Sequence, residues 1–184
     1  MKWLASLTLA ALAASPALSQ TCPPPRDISE EMTVLIEAAQ AAENPGEGQR
    51  ISDDMWALWA DAPDAAAQEI LDSGMRKRSS FDLLGAITEF DRLVTYCPDY
   101  AEGYNQRAFA YFLAQDFEAA LTDLERAIAL SPRHVAALSG KALTLIGLGR
   151  TAEAALVLRE ALALNPWLPE RGLLPSLEEV EQEL

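Results

Sequence analysis

Between Phe117 and Leu130 the apolar residues fall at Phe117, Ala120, Leu121, Leu124, Ala127, Ile128 and Leu130. That spacing, close to i, i+3, i+4, i+7, puts them on one face of a helix. The pattern then repeats. Pro98, Pro132 and Pro166 each follow an apolar helical run and stand 34 residues apart, a period that belongs to few architectures. Aligned on these prolines the units are 67–100, 101–134 and 135–168, and their second halves match at Ala86, Ala120 and Ala154 and again at Phe90, Leu124 and Leu158. In the first halves Gly74, Ala108 and Ala142 mark the point where two helices must approach closely. Each unit therefore reads as two short amphipathic helices. None can bury its apolar face alone, so stacking on a neighbour supplies the core, and three units are about the minimum for stability.

The middle unit carries Tyr104 and Tyr111 in its first half, Asp116-Phe117 at its turn and Ser131-Pro132 at its end, and the third has Leu138, Leu145 and a Gly149-Arg150 turn. In these residues the chain resembles the tetratricopeptide repeat family, over about 102 of its 184 residues. Tyr104 occupies the family's Trp position and Tyr111 its Tyr position. The first unit departs, with Lys77 where an aromatic is expected and Phe81 in place of the turn glycine, so its first helix is expected to be displaced or shortened. The family's leucine position is polar throughout, as Ser73, Arg107 and Lys141. The resemblance implies an all-α, tetratricopeptide-type solenoid of three helix-turn-helix repeats with helical flanks. It also implies that the first helix of each unit lines a concave groove, here Leu71, Met75 and Arg78, then Asn105, Phe109 and Phe112, then Ser139, Leu143 and Ile146. Family members that clamp a peptide carboxylate use Lys, Asn and Arg on this surface. This set is mainly apolar, with only Arg78 and Asn105 in comparable places, which suits a partner's amphipathic helix or extended apolar segment. An apolar stripe of that size is unusual on a monomer; either a partner or the chain's own flanking helix fills it.

The flanks also read as helices. Asp27 and Glu30 form a capping-box pattern before Met32, Leu35, Ile36 and Ala39, and Asn44-Pro45-Gly46 breaks that helix. Ser52, followed by Asp53 and Asp54, is expected to open a second short helix that carries Met55, Trp56 and Trp59 as packing anchors against the first unit and ends at Pro63. At the far end Ser176 and Glu179 are expected to cap a helix over 177–184.

Charge narrows the partners. With 14 basic and 28 acidic residues the chain carries −14, which disfavours nucleic acid. The run Arg76-Lys77-Arg78 reads as the cationic end of a helix, where it complements the dipole. Lys2 ahead of the apolar run Trp3 to Ala14, with Ala17 and Ser19 before Gln20, has the form of a signal peptide over residues 1–19. Export is therefore expected, to the periplasm in a Gram-negative cell. No later segment reaches the roughly 20 apolar residues of a membrane span. A lipid anchor at Cys22 fits poorly, because Gln20 is bulky where a small residue is wanted. Cys22 and Cys97 are an even pair in a compartment where disulfides persist. Cys97 precedes Pro98 at an inter-unit turn, and Cys22 lies in a semi-rigid tail, Pro23-Pro24-Pro25, that cannot continue into a helix, so a Cys22–Cys97 bridge is expected.

Chemistry is sparsely supplied. His134 stands alone, in the turn before the third unit, and reads as a residue that starts the next helix. One His and two Cys cannot complete a structural zinc site. The carboxylate pairs Glu30-Glu31, Asp53-Asp54 and Glu178-Glu179 lie near expected helix starts, where the dipole favours them. The expectation is a protein-interaction module with no catalytic residue, metal or cofactor. The alternative is a structural subunit whose groove or end is buried in a homo-oligomer.

Overall fold

The computed structural model describes residues 21–182; the signal-like segment 1–19 and the end of the expected C-terminal helix lie outside the described residues. Helices α3 (Ala65–Ser79) and α4 (Leu83–Tyr96), α5 (Ala101–Leu113) and α6 (Phe117–Leu130), and α7 (Val135–Gly147) and α8 (Thr151–Leu164) form three stacked antiparallel pairs. Four of the six starts follow from side chains that accept otherwise orphaned backbone N–H groups: Asp64 from Ala67, Asp82 from Gly85, Asp116 from Ala119 and His134 from Ala137.

Within each pair the turn is the same. Phe81, Gln115 and Gly149 stand 34 residues apart and adopt φ of 61°, 61° and 73°, and in each case the following N–H bonds back to the first helix, Asp82 to Lys77, Asp116 to Tyr111 and Arg150 to Leu145. Phe81 therefore takes the left-handed conformation that its missing glycine would have taken, and α3, at 15 residues, is neither displaced nor shortened. The demands of the closed turn and of the packed pair outweigh the local cost at Phe81.

The helix contacts use one small and one large residue per unit. A Cβ on Gly74 would come within 2.4 Å of the Phe90 ring, whereas the later units pack Ala108 with Leu124 and Ala142 with Leu158. The smaller partner in the first unit matches the larger one. The polar residues in the family's leucine position have a structural use as well. Arg107 reaches back to Asp91 and Lys141 to Glu125, at 2.7 and 3.2 Å, so the same ion pair links each unit to the one before it. Arg107 also forks onto Asp123, and these bonds hold its pKa above the ordinary arginine value.

The N-terminal flank departs furthest from expectation. Helix α1 (Ser29–Ala41) is followed by α2 (Pro45–Trp59), which starts at Pro45 because Asn44 caps it through Glu47 N–H. Asn44-Pro45-Gly46 thus ends one helix and begins the next. Ser52 lies mid-helix, donating to Gly48 C=O, and Asp53-Asp54 sits away from any helix start. Asp27 accepts from Ser29 N–H, with no side-chain cap at Ile28.

Instead of covering the first unit, the two helices form a strap along the edge where the three proline turns lie. Helix α1 runs toward the third unit: Arg133 donates to Thr33 and to Ser29 C=O, and farther along Gln40 donates to Ala163 C=O and Trp167 to Ala39 C=O. Helix α2 returns: Gly48 sits against Trp167, Asn165 donates to Ser52, and Trp59 stacks on His134 at 4.1 Å. Met32, Ile36, Ala39, Ile51, Met55 and Trp59 share one core with Val135, Leu138, Ala161 and Leu168. Trp59 is an anchor, but against the start of the third unit.

Cys22 and Cys97 are bonded, S–S 1.97 Å, fastening the tail to the end of α4. After a 3₁₀ turn at Pro169–Leu173, helix α9 (Leu174–Gln182) begins ahead of Ser176 and buries Leu177 against the third unit. Glu178 pairs with Arg159 rather than capping a helix.

Candidate partner-binding groove

The first helices of the three units present a cavity of about 320 Å³ on their concave side. Six of the nine expected groove residues line it: Arg78, Asn105, Phe109, Phe112, Ser139 and Leu143. Three do not. Leu71 is fully buried in the first unit's core. Met75 opens onto a separate shallow hollow beside Asp72 and Arg76, because α3 is the terminal helix and part of its face has no preceding unit. Ile146, near the end of α7, is exposed beyond the cavity. Leu168, at the end of the third unit, and three residues outside the repeats complete the walls: Trp56 from α2 and Pro169 and Glu170 from the C-terminal turn. The chain's flanks therefore narrow the groove without closing it, and Phe109 remains 45% exposed.

Phe109 and Phe112 sit three residues apart on α5, so their rings emerge on one helix face. Phe112 packs on Phe117, the first residue of α6, with ring centroids 5.5 Å apart. Phe109 lies under the Arg78 guanidinium, 4.6 Å from its centroid. Below these residues runs a buried polar chain. Arg78 donates to the Gln106 carbonyl, and the Gln106 amide donates to Glu102. The second Glu102 oxygen receives Asn105 at 3.0 Å and meets His134 Nε2 at 2.8 Å. His134 Nδ1 accepts the Ala137 N–H, so the Nε2 atom carries the proton and donates to Glu102. His134 does start α7, as its position implied, and it also ties α5 to α7 beneath the strap.

Burial lowers the pKa of Arg78, opposed by attraction to Glu102. Burial also raises that of Tyr100, whose hydroxyl donates to Trp59 C=O at 2.6 Å. Sequence reasoning missed Glu102, Gln106 and Glu170, and it read as a packing anchor against the first unit a residue that is 45% exposed in the cavity wall, Trp56. The first two sit on α5 behind the groove-facing positions, and the last two belong to flanks whose docking no repeat alignment reveals. Among the described residues no cluster of three or more His, Cys, Asp or Glu is placed to hold a metal, and no helix is long and apolar enough to cross a membrane.

The family models for the tetratricopeptide repeat match residues 101–134 and 135–166. The fold is a tetratricopeptide-repeat solenoid. A TPR repeat-containing protein of Rhizobium etli is 26% identical over 120 residues, 65% of this chain and 59% of that protein. The chain spans less than two thirds of the length of the curated relatives it matches. Among solved structures, the first TPR of Spaghetti (RPAP3) bound to an HSP90 peptide superposes with a TM-score of 0.61 at 22% identity, covering 63% of this chain and 93% of that one. The TPR2B domain of yeast Sti1 in its pHsp70 complex gives 0.59 at 23% identity, covering 66% and 100%. The first unit, which lies outside these two matched spans, is the one whose turn carries Phe81 and whose helix contact pairs Gly74 with Phe90.

Proposed function

We propose that the protein is a non-catalytic interaction module of the cell envelope that holds an apolar segment of a partner protein in its concave groove. The observation that carries this reading is the mainly apolar cavity with Phe109, Phe112 and Leu143 in its walls and Phe109 open to solvent. Solved tetratricopeptide domains of the same shape hold chaperone peptides. An envelope location rests on the signal-like segment 1–19 together with the Cys22–Cys97 bridge.

The reading is tested by placing a photocrosslinker at position 143 in cells and identifying the adducts, alongside Phe109→Ala. That substitution removes a half-exposed ring, so helicity and melting should hold nearly steady while adduct yield falls several-fold. Unfolding of Phe109→Ala would mean that the ring is core and the groove is filled from within. A second reading, self-association, is favoured by Phe81 and Leu84, which stand 77% and 80% exposed on the first unit, where no flank covers them. Light scattering separates the two: a monomer supports partner capture, and a stable dimer lost on Leu84→Glu supports self-association.

A further inference from the structure

The turn of the first unit carries its apolar residues outward. Phe81 and Leu84 stand 77% and 80% exposed, and Phe81 holds φ 61°, a conformation that a bulky residue adopts only at a cost. The fold requires neither side chain. At the same two positions the second unit has Gln115 and Glu118 and the third has Gly149 and Ala152, yet all three turns close with the same backbone hydrogen bond. An exposed aromatic kept on strained backbone, where the other units place polar or small residues, points to something that covers it.

Charge and area indicate what that is. Between Arg76 and Ala86 there are three cations, Arg76, Lys77 and Arg78, and one acid, Asp82, whose carboxylate accepts Gly85 N–H at the positive end of α4. Arg78 turns into the groove and Lys77 pairs with Glu89, but Arg76 is exposed. It stands where the later units have Ala110 and Thr144, both completely buried, because no unit precedes α3. Beside it Asp72, Met75, Ser79 and Ser80 line a shallow hollow. On a chain of −14 this end is therefore locally basic, and the acids beyond about 8–10 Å are screened at physiological salt. A buried aromatic side chain covers about 150–250 Å², so Phe81 and Leu84 together fall well short of the ~800 Å² per partner of a stable protein interface. Their exposed neighbours Ser79, Ser80 and Asp82 are polar and do not extend the patch. A lipid bilayer asks for less: its interfacial zone accepts apolar side chains to a depth of ~5–10 Å, aromatic rings favour it, and anionic headgroups attract the cations behind them.

We propose that the first unit docks on an anionic lipid surface, with Phe81 and Leu84 entering the interfacial zone and Arg76 meeting the headgroups. Two side chains and one exposed cation make a weak, reversible contact that orients the chain by one end. It depends on neither the groove nor the groove's partner.

The test uses the full chain with an environment-sensitive fluorophore on Ser80→Cys, the two native cysteines being bonded to each other, and vesicles of phosphatidylglycerol and phosphatidylcholine in equal parts. The label reports the tip itself, independently of any binding through the apolar run from Trp3 to Ala14. Its emission should shift to the blue on the vesicles, whereas the same label on Glu118→Cys, in the second unit's turn, should not respond. Arg76→Gln, or vesicles of phosphatidylcholine alone, should weaken the response several-fold, and Leu84→Glu should abolish it. Circular dichroism checks the fold of each variant, and should Leu84→Glu unfold, Phe81→Gly, which relieves the strained turn, decides by the same loss. A label on Ser80→Cys that stays unshifted, or that shifts equally in both turns or equally on phosphatidylcholine, would overturn the proposal. So would a blue shift that appears without vesicles, grows with protein concentration and is lost in Leu84→Glu, which would assign the tip to a second copy of the chain.

Discussion

Gly74→Ala adds one methyl group where the structure has no room for it. The new Cβ would lie 2.4, 2.7 and 2.8 Å from three Phe90 ring atoms, and Phe90 is completely buried, so the ring cannot swing into solvent. Overpacking of this kind costs about 1–3 kcal/mol. Replacing a mid-helix glycine by alanine returns about 1 kcal/mol through helix propensity, leaving a net loss of up to roughly 2 kcal/mol. Phe90→Leu alone removes ring atoms from a sealed site and should cost about 1–2 kcal/mol through lost burial and the cavity left behind. Together the two changes recreate the alanine-leucine pairing of the second and third units, and the double variant should lie within about 1 kcal/mol of the native protein. The coupling energy is thus about 2 kcal/mol, well above the few tenths expected of independent sites. Urea titrations of the four proteins measure it, and each single variant should melt several degrees lower, at about 2–4 °C per kcal/mol for a chain of this size. Additive losses in the double variant would refute the claim that Gly74 and Phe90 are matched in size.

Phe81→Gly removes a left-handed non-glycine residue that costs about 1–2 kcal/mol and sacrifices little burial; after the extra chain entropy of glycine, denaturant unfolding should show stability raised by up to about 1 kcal/mol, and a clear loss would mean that Phe81 packs on something. Reducing the Cys22–Cys97 bridge opens a loop spanning 75 positions and on the chain-entropy model costs up to roughly 4 kcal/mol. Because α1 and α2 are docked on the turns of the third unit, hydrogen exchange after reduction should quicken over residues 21–28 while the strap stays protected; early loss of α1 would contradict that docking. The Lys77 hydrogen bond, aided by Arg92, holds the Glu89 carboxyl below its ordinary value of 4.5. Its stabilising contribution is therefore complete above that value and is lost as pH falls through the lower folded pKa. Glu89→Gln should flatten the fall of melting temperature in that acid window, and an unchanged slope would show that other carboxylates set it.

The period of 34 was legible because the units repeat the same local requirements: an apolar stripe of helical spacing, a small residue opposite a large one and, in the first two units, a capping acid before the second helix at Asp82 and Asp116. Those are short-range constraints, and they survive even where Phe81 replaces glycine, since the turn is held from both sides. The groove residues at the centre, Asn105 through Leu143, followed from the same register. Leu71 and Met75 escaped it, because the end of a repeat array has a neighbour on one side only and the periodic rule no longer says what covers a face.

What the tertiary structure decided is where the flanks go. The sequence of α1 and α2 shows apolar faces without naming their target, and the target proved to be the row of proline turns, through contacts such as Trp59 on His134 and Trp167 on Gly48 that span 75 and 119 positions. The same long-range docking brings Trp56 to the cavity wall, and the stacking of α5 between α3 and α7 links Glu102 to both His134 and, through Gln106, Arg78. Local spacing encodes which side a residue faces. Only the closed packing of the whole chain determines which charges are paired beneath the surface.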